Sequence, residues 1–216
     1  MPIRSSRYRV GRNSAGLSGW TDSTGWTPIS RNSDRNERQG RIVAEGESSQ
    51  DAVILERSFD APVEVIWQMW TDPEHFKVWY GPQGATIPEA TMNVKVGGTR
   101  LLCMEMQSPN GAVRMWFTGE YREVVENQRL VYTESMADDN GNVLAPSAMG
   151  MPEGYPTVTE ITVELSPEDG GTKMVMTHAG IPSDSPGAMG WTMAFDKLAV
   201  YLDKRGTTRP AASSGL

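Results

Sequence analysis

The segment PGAMGWTMAFDKLAVYLDK, residues 186–204, sets Trp191, Phe195, Leu198 and Leu202 four, three and four positions apart. That spacing returns to one side of an α-helix at every turn, so the segment reads as a long helix with one apolar face. Ser185 can cap its first turn, Pro186 suits the first helical position, and Gly206 ends it. Asp196, Lys197, Asp203 and Lys204 fall mostly off the stripe and are expected in solvent. A helix this one-sided needs a surface to cover.

The chain before it supplies one. Short apolar or alternating runs at 90–96, 99–106, 113–121, 129–134, 157–165 and 172–178 read as strands. Turn chemistry separates most of them: Gly97-Gly98, Ser108-Pro109-Asn110-Gly111, Glu126-Asn127 and the Pro-Glu-Asp-Gly-Gly run at 167–171. Ahead of these, AVILERSFD (52–60) reads as a further strand, and APVEVIWQMWTDPEHFKVWYGP (61–82) as two brief helices. Pro62 falls in the first turn of one, and Asp72 before Pro73 caps the other. The fold class is therefore α+β: a curved antiparallel sheet of about seven strands wrapped on the C-terminal helix. The stretch 135–156, with Asn140-Gly141 and several prolines and methionines, reads as a long loop that is functional or mobile.

Residues 1–48 have a different composition. They hold Arg4, Arg7, Arg9, Arg12, Arg31, Arg35, Arg38 and Arg41 among many Ser, Gly and Asn, with little aliphatic content. This is the signature of a disordered tail; a targeting segment and an overextended gene start stay open as alternatives. The expected organisation is a tail at 1–48, one domain at 50–204 and a flexible end at 205–216.

Composition excludes several functions. The net charge of -7 argues against nucleic acid as a partner. Cys103 is the only cysteine, which rules out an internal disulfide and fits a reducing cytoplasm. With only His75 and His178 as histidines, no zinc site of the usual ligands can be assembled, and neither metal nor cofactor is expected. No run of about 18 apolar residues exists to span a membrane. Gly-rich nucleotide loops and a G-x-S-x-G elbow are absent as well.

Several of these segments also carry a likeness. The stretches at 61–82, VKVGGTRLLCM, GEYREVVENQRLVYT and GWTMAFDKLAVYL resemble, in order, the family called activator of heat-shock-protein-90 ATPase homologue. That family belongs to the helix-grip (START-like, Bet v-like, SRPBCC) superfamily, and the resemblance runs over about residues 50–204. It implies a ligand-holding fold whose relatives include lipid carriers, aromatase/cyclases and stress-associated proteins. The founding co-chaperone has a separate N-terminal domain, and residues 1–48 are too short and polar to replace it.

Alternation picks out the residues that would line a cavity. Met174, Met176 and His178 share one face of the last strand, expected inward, opposite Lys173, Val175 and Thr177. In the strand before, Thr159, Ile161, Val163 and Leu165 should point in. At 99–106 two assignments compete, and Cys103 with Glu105 is taken as the inward set. The candidate ligand-binding residues are Trp79, Cys103, Glu105, Met115, Phe117, Tyr132, Met174, Met176, His178, Met189 and Met193. Methionines adapt to irregular ligands, although each is individually as well explained by core packing. Trp79 would close the cavity mouth or plug the core. His75 caps or solvates the second short helix.

The functional expectation is a soluble, cytoplasmic binder of a hydrophobic or aromatic small molecule, monomeric or homodimeric. Two alternatives accompany it. One is an enzyme of the cyclase, dehydratase or hydrolase kind that uses His178, Tyr132 or Glu105 in a mostly dry pocket. The other is a stress-response protein or co-chaperone acting on the heat-shock-protein-90 ATPase.

Overall fold

The computed structural model describes residues 52–151 and 154–206. The expected tail at 1–48 and most of the expected end at 205–216 lie outside them. The elements are β1 (Ala52–Phe59), α1 (Val63–Thr71), α2 (Pro73–Trp79), β2 (Ala85–Met92), β3 (Thr99–Ser108), β4 (Gly111–Val125), β5 (Arg129–Ala137), β6 (Thr159–Glu168), β7 (Gly171–Ala179) and α3 (Pro186–Lys204). The strands form one antiparallel sheet in the order β1-β7-β6-β5-β4-β3-β2. Thus the first strand returns to pair with the last, and α3 covers the curved inner face, as the α+β helix-grip architecture requires.

The helix boundaries follow local chemistry. The Asp72 carboxylate accepts from the Glu74 amide and Pro73 opens α2. The Ser185 hydroxyl does the same for the Ala188 amide at the start of α3. Pro62 sits one position earlier than expected, at the cap of α1 rather than in its first turn.

Most strands run longer than the alternation suggests, although the second stops at Met92 rather than Val96. The second strand begins at Ala85 and so includes Pro88, a residue that argues against a central strand. Because β2 is an edge of the sheet and its register with β3 shifts between Thr86 and Glu89, no ladder bond is lost to the proline ring. Strand β4 extends to Val125 by absorbing a bulge between Tyr121 and Glu123. Just before that bulge, a Cβ on Gly119 would stand 1.8 Å from the Thr133 carbonyl oxygen, so only glycine allows β4 and β5 to approach so closely.

The inner face at β1, β6 and β7 is filled by aromatic packing. Trp70, Phe76, Trp79, Trp191 and Phe195 are all in mutual contact or share a neighbour; the Trp70 and Trp79 ring centroids are 4.8 Å apart in edge-to-face geometry. Leu198 and Leu202 continue the contact from α3, so the stripe of Trp191, Phe195, Leu198 and Leu202 is buried throughout.

Lys197 departs from its expected solvated position. Its ammonium donates to the carbonyls of Tyr80, Gly81 and Ala85 at 3.1, 3.3 and 3.4 Å, clamping α3 to the turn that follows α2. Asp196 is exposed and pairs with Arg57 of β1 at 2.6 Å. His75 neither caps nor faces water alone: its Nδ1 lies 3.0 Å from the Tyr201 hydroxyl, a second tie between α2 and α3.

Candidate functional site

The expected loop at 135–156 is more structured than its composition implies. Strand β5 runs on to Ala137, and Asp138 then organises the turn. Its Oδ1 accepts from the amides of Asn140 and Asn142, its Oδ2 from the Asn142 side chain. These bonds, the Asn142 side chain foremost, hold the carboxyl below its usual pKa. A bridge between Ala137 and Val143 and a 3-10 turn at Pro146–Met149 follow. Between this segment and the sheet lies a hollow of about 50 Å³. Phe117, Met136, Pro146, Tyr155 and Pro156 provide its apolar walls, while Glu134, Thr159 and His178 provide its polar side.

The polar side is a chain of directed hydrogen bonds. The indole N–H of Trp191 donates to Nδ1 of His178 at 2.9 Å. An indole nitrogen can only donate, so Nδ1 must keep its lone pair and the ring proton must sit on Nε2. Nε2 lies 2.8 Å from the Thr159 hydroxyl, which in turn donates to the backbone carbonyl of Glu134 at 3.1 Å. His178 is therefore neutral, with both nitrogens engaged. Burial lowers its pKa; Glu134 opposes that shift and Arg100 adds to it, each to a smaller extent.

Behind Glu134 sits the most unusual group in the domain, the guanidinium of Arg100, which is 1% exposed. It lies 4.1 Å from the centre of the Tyr132 ring and 5.2 Å from that of Phe76, a cation held against aromatic faces. Glu134 Oε2 is 3.8 Å away and also accepts a 3.0 Å hydrogen bond from the Tyr80 hydroxyl. Nε, Nη1 and Nη2 of Arg100 and the hydroxyls of Tyr121 and Tyr132 have no hydrogen-bond partner among the described residues. Burial lowers the pKa of Arg100, yet the neighbouring Tyr132, Tyr121 and Glu134 outweigh it and keep the pKa above its ordinary value. Burial, and then the neighbouring Glu134 carboxylate, hold the Tyr80 hydroxyl protonated far above its usual range.

The residue family that matches this chain is described as Activator of Hsp90 ATPase homolog 1-like protein, and its model covers residues 60–203. The chain belongs to that family. A protein from Nitrosomonas europaea shares its fold at 22% identity and a TM-score of 0.57, over 72% of this chain and 96% of that one. The AHSA1 protein from Silicibacter pomeroyi matches at 20% identity and 0.55, over 71% of this chain and 99% of that one. A protein from Staphylococcus epidermidis matches at 22% and 0.57, over 74% and 93%. No protein of curated function matches the sequence.

Within this AHSA1-like domain, the residues proposed from sequence part into groups. His178 and Phe117 line the hollow, and Tyr132 packs against Arg100 one layer behind it. Met174, Met176 and Trp79 are fully buried in the packed centre. There the Trp70 indole N–H points at the Met174 sulfur at 3.3 Å, and that of Trp79 donates to the Met69 carbonyl at 2.9 Å. Met115 is half-buried, and Met189 and Met193 are exposed on α3.

The competing assignments on β3 resolve against the inward reading of Cys103. Arg100, Leu102 and Met104 face the core, so Cys103 and Glu105 lie on the outer face. Cys103 is opposite Trp116 and Glu89 in the ladders, where burial raises the thiol pKa despite Arg114. Glu105 pairs with Arg114 at 2.8 Å, away from His178. Tyr132 and His178 share the inner face, but each pairs with Ile161 from opposite sides, which separates their backbones by two strand spacings, about 9.5 Å.

Sequence reasoning placed Thr159 inward without giving it a role in the site, and missed Arg100 as a core cation, Glu134, Met136 and Tyr155. The signal for Glu134 was present: it follows Leu130 and Tyr132 at period two, on the same face of β5.

Proposed function

We propose that the protein is a non-catalytic binder of a small apolar or aromatic molecule, held in the hollow between β4, β5, β6, Pro146 and residues 155–157. The observation that carries this is the contrast within one small space. Phe117, Met136, Tyr155 and two prolines form apolar walls, and the one histidine there has both nitrogens committed to the fold. A group that cannot take up a proton without breaking the Trp191 bond is a poor general base. The separation of Glu105 from His178 speaks further against the enzyme alternative.

The proposal treats residues 50–204 as the working unit of a soluble cytoplasmic protein. Among the described residues no helix is long and apolar enough to cross a membrane, and no cluster of metal-ligating side chains exists. The hollow is small: liquid water takes roughly 30 Å³ per molecule, so a ring enters only in part, or displaces the wall at Pro146 and residues 155–157.

The test is a thermal-shift screen of the full chain against small aromatic and aliphatic compounds, with native mass spectrometry of the freshly purified protein. A bound compound or a raised melting temperature, lost when Met136→Trp fills the hollow, is the expected result. No co-purifying compound together with an unmoved melting temperature counts against it, as does a shift that survives Met136→Trp. The family description also names an ATPase activator. Stimulation of a bacterial Hsp90 ATPase by this chain, undiminished by Met136→Trp, would favour that reading instead.

A further inference from the structure

We infer that the ligand is a phenol-type compound, a neutral hydroxyl on a flat ring, whose O–H donates to the free oxygen of Glu134. This rests on the binding proposal above and names the chemical class that the hollow reads. Glu134 is 8% exposed, lines the hollow, and uses Oε2 alone: no hydrogen bond reaches Oε1 from the described residues. That oxygen is not sealed from solvent as the Arg100 nitrogens are, so a ligand that displaces water from it must supply a donor in its place.

Charge decides which donor. The Arg100 guanidinium and the Glu134 carboxylate already neutralise each other at 3.8 Å in surroundings of Phe76, Tyr80 and Tyr132. A cationic ligand head would leave one uncompensated positive charge in that space, and an anionic head would meet the carboxylate first. A neutral hydroxyl satisfies Oε1 and leaves the balance intact. The site already contains the model for this contact, because Tyr80 presents a protonated phenol to Oε2 of the same carboxylate. The walls agree: Phe117, Tyr155 and the flat faces of Pro146 and Pro156 suit an aromatic ring, and Met136 adapts to its edge. The hollow of about 50 Å³ admits the hydroxyl and the leading edge of the ring.

The experiment compares four probes of one shape at neutral pH: p-cresol, toluene, benzylamine and 4-methylbenzoate. Each is titrated into the full chain carrying 13C-methyl methionine, and the Met136 methyl resonance is followed. The expected result is that p-cresol binds about ten-fold or more tightly than toluene, the usual worth of a hydrogen bond to a charged acceptor. The two charged probes bind no better than toluene, and Met136→Trp, which leaves the Arg100–Glu134 pair in place, abolishes p-cresol binding as measured by isothermal titration calorimetry on both proteins, since the variant lacks the Met136 methyl. Toluene equal to p-cresol overturns the phenol assignment and leaves the binding proposal standing. So does tightest binding by benzylamine or by 4-methylbenzoate. If none of the four probes moves the resonance, or if p-cresol binds Met136→Trp equally well, both proposals fail.

Discussion

Trp191 donates its indole N–H to Nδ1 of His178, and this one bond joins α3 to the last strand while deciding the histidine's protonation state. Protonating His178 would place two N–H groups face to face. Burial already lowers its pKa below 6.5. In the window between that depressed value and 6.5, the unfolded chain binds a proton that the folded chain refuses, so unfolding gains free energy as pH falls. Stability should therefore be level above about pH 6.5, decline through the window, and lose this contribution to the slope below the folded pKa. His178→Gln, which can still accept from Trp191, should flatten the decline. Urea unfolding at a series of pH values on both proteins checks it; parallel curves would mean that His178 does not titrate in this way.

Two neighbours on α3 should respond in opposite measure to the loss of their charge. Lys197 donates to three backbone carbonyls of the 80–85 turn from a half-buried position. Its removal leaves those oxygens poorly satisfied, so Lys197→Met should cost about 1–3 kcal/mol. Asp196 is exposed and meets Arg57 across a surface pair. Asp196→Asn should cost no more than about 1 kcal/mol. Chemical denaturation of the two variants separates the cases, and a larger loss at Asp196 would reverse the assignment of the clamp.

The difference between these two residues explains what the sequence could and could not reveal. Helical periodicity located Trp191, Phe195, Leu198 and Leu202 because apolar burial repeats with the helix itself. Antiparallel pairing of seven strands was legible for the same reason: turns such as Gly97-Gly98 and the 167–171 run punctuate period-two segments. Lys197 was misplaced because its partners are carbonyls, which every residue carries and no sequence pattern marks. Cys103 and Arg100 sit three positions apart, on opposite faces of a strand that alternates ambiguously, and a buried arginine defeats the rule that charge faces water. The hollow formed where β5 outruns its expected end at Glu134, so the residues at and beyond that end, Glu134 and Met136, went unassigned. Of the methionines, Met174 and Met176 are fully buried in the packed centre and are not part of the lining of the hollow beside Glu134.

Two glycines offer a direct comparison of backbone crowding. At Gly119 a methyl group would collide with the Thr133 carbonyl at 1.8 Å, in the middle of the β4–β5 ladder. Gly119→Ala must push two paired strands apart and should lose at least about 2 kcal/mol. Gly190 lies inside α3 and a Cβ there meets nothing within 4 Å. Gly190→Ala should gain roughly 0.5–1 kcal/mol from helix propensity alone. Melting temperatures that move in the same direction for both would contradict this reading of the two environments.

The buried pair behind the hollow makes the strongest energetic prediction. Arg100 has aromatic faces around it and one carboxylate, Glu134, as its counter-charge. Removing that counter-charge strands a cation in the core, so Glu134→Leu should destabilise the fold by about 3–5 kcal/mol. Arg100→Met should cost a similar amount, because it strands the carboxylate in its place. With both replaced, no buried charge remains, and the apolar pair packs among Phe76, Tyr80 and Tyr132. The double variant should therefore be more stable than either single one, with a coupling of at least about 2 kcal/mol. A double-mutant cycle by denaturant unfolding measures it. Additive losses would mean that the two charges are stabilised independently. In that case the neutral balance of the site would have to be explained another way.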